Sequence, residues 1–181
     1  PEEAFRKASF LVVSLQTTCG FITADYMQWA PPLWMLTTII TYCGACAGST
    51  SGGIKCIRAV IMARIAQNEF KHIIHPNAVL PVRVNGTNVS STTKSTVLAF
   101  FVVFVLLVFF GWFTMMVIGL EFDDAYSVVI SSLANVGPGI GMCGPAFSWN
   151  SLPDAAKWLS TIYMLIGRLE LFTVLLLLTP A

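Results

Sequence analysis

Only 10% of this 181-residue chain is charged while 56% is hydrophobic, and the mean hydropathy is +0.76. About a quarter of residues are charged in ordinary soluble domains, so the composition excludes a freely soluble globular protein and indicates an all-α membrane protein in contact with lipid. A formal net charge of +1 gives no electrostatic footprint for nucleic acid, and none is expected as a partner.

The first apolar run, about Ala8 to Gln16, covers roughly 14 Å as a helix, less than half of a roughly 30 Å hydrocarbon core. It is therefore predicted to re-enter rather than cross, and it leads into a glycine-centred loop, Thr17-Thr18-Cys19-Gly20-Phe21. A span follows from Pro32 to about Arg64, but helix from Pro32 to Gly44 reaches only about 18 Å before GACAGSTSGG, which holds four glycines. Irregular backbone at that depth is tolerated only where protein buries it or water lines it. Gly44, Gly48, Ser49, Thr50, Ser51, Gly52 and Gly53, up to Lys55, are thus expected under the filter that such glycine loops form, interrupting the span.

Residues 67–94 are a polar connection, where Asn85-Gly86 predicts a two-residue type I′ hairpin turn. Val97 to Leu120 is an uncharged run longer than the roughly 20 residues needed to cross. Ala125 to Leu133 is a second half-length run, ending in Asn135-Val136-Gly137-Pro138-Gly139. The last predicted span runs from Pro153 to about Thr179. Arg168 lies about 22 Å along it, where a charge is costly and usually functional. Arg168 is expected to pair with the 44–53 loop as an electrostatic gate element, in preference to simple pairing with Glu170.

The two half-length runs repeat each other. Laying Gly20 on Gly137 puts Ala8, Val12 and Ser14 on Ala125, Val129 and Ser131. With six extra residues in the second copy, Leu36, Thr38, Ile39 and Gly44 fall on Leu159, Thr161, Ile162 and Gly167. Such duplication decides architecture before local propensity does. Glycine-bent backbone supplies carbonyl oxygens, without side-chain charge, to replace the water around a monovalent cation such as K+. The candidate ligands are the carbonyls of Thr18, Cys19, Gly20, Asn135, Val136 and Gly137, with each half-helix directing its negative dipole end toward the ion.

Six of the ten Lys and Arg residues (Lys55, Arg58, Arg64, Lys71, Arg83 and Lys94) lie between the first two spans, which places 67–94 in the cytoplasm. Asp25, Glu121, Asp123, Asp124 and Asp154 fall at the opposite ends, where Asp123 and Asp124 also suit the first turn of a helix.

Other motifs fail on context. GIGMCG (139–144) follows no strand, and GSTSGGIK places its lysine at the wrong spacing for a phosphate loop. His72 and His75 lack a third metal ligand, and Cys43 and Cys46 form a lone CxxC in an apolar helix. The sequons at Asn85 and Asn88 lie on the predicted cytoplasmic side. No nucleophile, acid–base pair or metal set converges, so an enzyme is not expected. A broken-helix transporter of another solute would normally hold it by side chains.

TTCGF, GACAGSTSGGIKCIR, HPNAVLPVRVNG, NVGPG, LPDAAKWL and GRLELFTVLLLLTP, in this order, resemble the C-terminal portion of TrkH-type potassium transporters of the Trk/Ktr/HKT superfamily. The resemblance implies potassium-channel-like helix, pore-loop, helix repeats around one pore. Residues 1–66 would be the third repeat lacking its first helix, 67–94 the cytoplasmic connection, and 95–181 the fourth repeat. Thr17 to Phe21 and Asn135 to Gly139 become filter segments, Gly44 to Lys55 the intramembrane gating loop, and Arg168 its partner. The resemblance also implies a bacterial inner-membrane homodimer, a cytoplasmic TrkA-like nucleotide-binding regulatory subunit, K+ as the transported ion and no organic cofactor on this chain. The chain is expected to be a fragment, since two filter segments cannot enclose an ion. The superfamily includes sodium carriers, distinguished at a first filter segment that these residues do not contain.

Overall fold

The computed structural model describes all residues except 1, 47, 77, 79, 170 and 179–181, with backbone alone for 175, 177 and 178. The described residues are mostly helical: α1 (Glu2–Gln16), α2 (Pro31–Tyr42), α3 (Cys56–Ile74), α4 (Ser91–Ile118), α5 (Phe122–Ala134), α6 (Asp154–Arg168) and α7 (Leu171–Leu178). Two short strand pairs join them. β1 (Cys43–Gly44) runs parallel to β2 (Ile54–Lys55), and β3 (Arg83–Val84) antiparallel to β4 (Thr87–Asn88).

Helix α4 has well-defined ends. Ser90 accepts a hydrogen bond from the Thr93 N–H, and Gly119 closes the helix in the left-handed region while Leu120 N donates to Met115 O. Among the described residues, α4 is the one helix long and apolar enough to cross a membrane. Its buried side, Val97, Phe100, Phe104, Val108, Gly111 and Met115, follows three- and four-residue steps, while Phe109, Phe113 and Val117 are exposed. Polarity does not separate these faces. Packing does: the stripe lies against α5 and α6.

Helix α5 occupies the core. Ser127 to Ala134 are buried without a break, the pattern of a helix covered on all sides. Leu133, Val128 and Val129 join Phe104 and Met115 of α4 and Ala156, Tyr163 and Ile166 of α6 in one cluster. Gly111 permits the α4–α6 crossing, because a Cβ there would lie 2.6 Å from the Tyr163 hydroxyl, which donates to Leu107 O at 2.9 Å.

Several boundaries differ from expectation. α1 begins at Glu2, so it is about 22 Å long rather than 14 Å. Its first turns are polar, with Lys7 paired to Glu3 at 2.6 Å, and a search for apolar runs passes over them. α3 continues to Ile74, into the connection expected to start at residue 67. The last span is not one helix: α6 ends at Arg168 and α7 begins at Leu171. Neither proline nor a left-handed glycine marks that break. Gly167 is instead seated on α5, where an added Cβ would meet Leu133 O at 2.0 Å. The end of the expected span at Thr179 lies outside the described residues.

The Asn85-Gly86 turn forms as expected, with φ values of 49° and 81° between β3 and β4. The interruption between α2 and α3 also forms, closed by β1 and β2. Replacing Gly111 with Ala should push the Tyr163 ring off Leu107 and destabilise the helix packing by about 1–3 kcal/mol, measured as a lower unfolding temperature of the detergent-solubilised protein.

Candidate functional site

The two predicted glycine loops end their helices in the same way. Ser14 Oγ donates to Phe21 O at 2.7 Å, and Ser131 Oγ donates to Pro138 O at 3.4 Å. Cys19 N donates to Ser14 O at 3.0 Å, and Val136 N to Ser131 O at 3.1 Å. Thr18 and Asn135 share a φ of 56°, and Gly20 (73°) and Gly137 (102°) both occupy the positive region. Each pairing has the offset that lays Gly20 on Gly137. The duplication is therefore in the backbone as well as in the residue types.

Glycine accounts for positive φ at residues 20 and 137, but Thr18 and Asn135 adopt it without being glycine. Thr18 is β-branched and unfavourable there, while Asn135 tolerates the conformation. Their alignment was the available clue. The same overlay contained Ser14 and Ser131, whose hydroxyls act as helix stops. Thr17 bonds back to its own helix, with Oγ1 donating to Val13 O at 2.7 Å.

The loops meet. A Cβ on Gly20 would stand 2.2 Å from Val136 O and 3.1 Å from Pro138 Cδ, so glycine is required at residue 20 by proximity as well as by φ. Leu11, Leu15, Tyr26, Ala134 and Val136 form a buried cluster behind this junction. On the other side, Cys19, Gly20, Phe21, Val136, Gly137 and Pro138 line an open cleft. The Phe21 side chain is exposed there. Gly139 lies deeper, buried behind the cleft, and its carbonyl accepts a hydrogen bond from the Tyr26 hydroxyl.

The acidic residues near the second loop act locally. Asp123 and Asp124 lie in the first turn of α5, but Asp124 Oδ1 accepts from Met142 N at 2.7 Å and so secures the chain leaving the loop. Asp25 Oδ1 accepts from Met27 N at 3.0 Å in the corresponding region of the first half. Asp154 pairs with Lys157 at 3.2 Å.

The interrupted segment folds beneath the second loop. Buried Ser51 accepts from Ala45 N at 3.1 Å, and Ser51 N donates to Ser49 Oγ at 3.2 Å. Gly44 and Gly52 lie against each other, since a Cβ on Gly44 would be 2.3 Å from Gly52 O. Gly53 has a φ of 72°. Gly48 and Thr50 are exposed, and half-buried Lys55 precedes α3. Cys56, absent from the expected site, ties the segment to α1: its Sγ donates to Gly44 O at 2.9 Å and accepts from Gln16 Nε2 at 3.8 Å.

Gly52 also touches the end of α5, where a Cβ would fall 2.4 Å from Ala134 O. Gly167 reaches the same helix end from α6, and Asn135 Nδ2 donates to Met164 O at 3.1 Å. Arg168 is the next residue; its side chain is exposed and makes no hydrogen bond or ion pair among the described residues. The suggested Arg168–Glu170 pairing lies outside the described residues.

A family model described as TrkH, cation transport protein, matches residues 1–180. The chain belongs to the TrkH family.

Among TrkH proteins, it is 38% identical over 179 residues to the Trk system potassium uptake protein TrkH of Halomonas elongata, covering 99% of this chain and 37% of that protein. It is 35% identical over 174 residues to the protein of the same name from Escherichia coli K12, covering 96% of this chain and 36% of the relative. The crystal structure of the potassium transporter TrkH from Vibrio parahaemolyticus superposes with a TM-score of 0.91 at 36% identity, covering 99% of this chain and 38% of that one. This TrkH chain thus spans a little over a third of the length of the relatives it matches.

Ser131→Ala should leave the Gly137 N–H, which now donates to Ser131 Oγ at 3.1 Å, without its acceptor. A loss of about 1–3 kcal/mol is expected, read as a lower unfolding temperature, while Ser9→Ala outside the loops should have little effect.

Proposed function

We propose that this chain supplies part of a potassium-conducting pore in the bacterial inner membrane, within the pore-forming subunit of a Trk-type uptake system. The observation that carries the reading is the repeated loop geometry. Two helices carry matching serines in their last turns, turn through positive φ at matching positions, and bring their loops into contact. In this reading α1 and α5 re-enter the membrane, and α2 to α3 is an interrupted span. The carbonyls of Thr18, Cys19, Gly20, Asn135, Val136 and Gly137 replace water around K+. Backbone oxygens suit this task because they provide partial negative charge without a carboxylate that would hold the ion too tightly.

Further repeats would complete the filter in a chain of the relatives' length. In keeping with this, α1 buries only Leu11, Ser14 and Leu15, whereas α5 is enclosed on all sides. Gly44 to Lys55 would gate the path from below, and Arg168 would add an electrostatic barrier beside it. The seating of Gly52 and Gly167 at the end of α5 supports this assignment. Residues 67–94 would face the cytoplasm and offer a docking surface to a TrkA-like nucleotide-binding subunit, with the complete protein a homodimer. K+ is the transported ion, and the chain itself catalyses no covalent step.

The test is rubidium uptake by a full-length protein carrying these residues. Potassium should suppress uptake more strongly than sodium. Equal competition would instead favour a sodium or mixed-cation carrier, and absence of cation-competed uptake would favour transport of another solute.

The gate assignment has a separate test. Gly52→Ala places a methyl against Ala134 O, a clash of about 1–3 kcal/mol. Because the loop must move, the maximal rubidium uptake rate should change by about five- to 150-fold at that energy while half-saturation stays constant. A shift in half-saturation alone would count against the gate.

A further inference from the structure

We propose that Tyr26 is a specificity-determining positioning residue: its hydroxyl reaches from the first repeat to fix the Gly139 carbonyl, holding the second loop at the width that discriminates between monovalent cations. This rests on reading the two loops as an ion filter.

The phenol is anchored at its root. Tyr26 O accepts from Trp34 Nε1 at 2.9 Å and from Trp29 N at 3.1 Å. Asp25 holds the same turn through Met27 N at 3.0 Å and Gln28 Nε2 at 3.2 Å. The side chain is 2% exposed and lies among Leu11, Leu15, Ala134 and Val136, behind both loops. From this fixed base its hydroxyl donates to Gly139 O, 113 residues along the chain.

Gly139 is held by its other atoms too. Its N–H donates to Cys143 O at 2.8 Å, and the following Ile140 N–H donates to Ser127 Oγ at 2.5 Å. At the inner end, Ser131 receives Gly137 N, and Asn135 is tied to Met164 O at 3.1 Å. The second loop is therefore secured at both ends, with the proposed ligand carbonyls of residues 135–137 at the inner one. The Gly139 carbonyl is engaged by the phenol and serves as an anchor rather than a cation ligand. The three-residue turns before α2 and α6 match each other at the later offset of the overlay, Asp25 with Ser148 and Tyr26 with Trp149, and Trp149 has no phenol hydroxyl, so the restraint runs from the first repeat to the second.

Freedom to move exists once that bond is cut. A cavity of about 20 Å³ lies behind the second loop, lined by Tyr26, Thr37, Thr41, Ser127, Ser131 and Gly139 among others. That is room for about one water. Carbonyl dipoles that can shift will close around a smaller cation and lose preference for the larger one; a loop held at both ends resists closure. Tyr26 is thus expected to act on ion preference more than on throughput.

The experiment is Tyr26→Phe in the full-length protein, read by rubidium uptake with potassium and sodium as competitors. The sodium-to-potassium ratio of half-inhibitory concentrations should fall roughly three- to tenfold, the range that loss of one buried hydrogen bond allows. Tyr42→Phe is the control, since it removes another phenol contact, half-buried and made to the Tyr126 hydroxyl at 2.8 Å rather than to a loop carbonyl. It should leave the ratio unchanged. Trp34→Phe, which loosens the base of Tyr26, should lower the ratio in the same direction and serves if Tyr26→Phe does not accumulate. An unchanged ratio in these two variants, or an equal fall in Tyr42→Phe, overturns the inference. If the unsubstituted protein shows no potassium-competed uptake, the filter reading itself fails; normal competition there with unaffected variants removes this inference alone.

Discussion

Every main-chain N–H and C=O placed in hydrocarbon needs a partner, and an unmet group costs several kcal/mol. A helix that stops within an apolar core violates this condition unless something replaces its next turn. In the proposed pore, Ser14 and Ser131 are that replacement. Each hydroxyl donates to a carbonyl seven residues ahead, while the same serine's backbone oxygen receives an N–H from the returning loop. The positive φ values at Thr18, Gly20, Asn135 and Gly137 follow from folding the chain back through so short a path. In the proposed pore, the carbonyls left over from this arrangement are the ones available to an ion.

The end of α5 is where the remaining pieces converge. Gly52, from the interrupted segment, and Gly167, from α6, both approach it at distances that exclude a side chain, and Asn135 bridges to Met164. Backbone contact without interlocking side chains lets a loop change position without repacking a core. The loop is also tethered by Cys56 to the first short helix through Gln16. The two halves of the fold are thus joined beneath the loops by this segment through Gly52, at the loops where Gly20 meets Val136, and behind them by Tyr26.

Local chemistry made much of this legible. Asn85-Gly86 accepts positive φ at both turn positions, and the hairpin forms there. Proline at the start of α2 and the glycine-rich stretch after Tyr42 mark one helix and its interruption. The overlay of ASFLVVSLQTTCGF on AYSVVISSLANVGPG identified both loops and the serines that define them. Other features left no local trace. The charged first turns of α1 carry no apolar signal, and the break after Arg168 has no left-handed glycine or proline. The phenol of Tyr26 is separated from Gly139 by more than a hundred residues.

An apolar composition suited to lipid, a duplicated helix-and-loop unit, and glycine bends at Gly20 and Gly137 can all be read from residue order alone. Those properties follow from hydrophobicity and from steric limits within a few adjacent residues. Only the tertiary structure decided that Gly20 meets Val136, that Gly52 and Gly167 share the end of α5, and that Tyr26 secures Gly139. These contacts join residues distant along the chain, and close packing selects among the many pairings that composition alone allows.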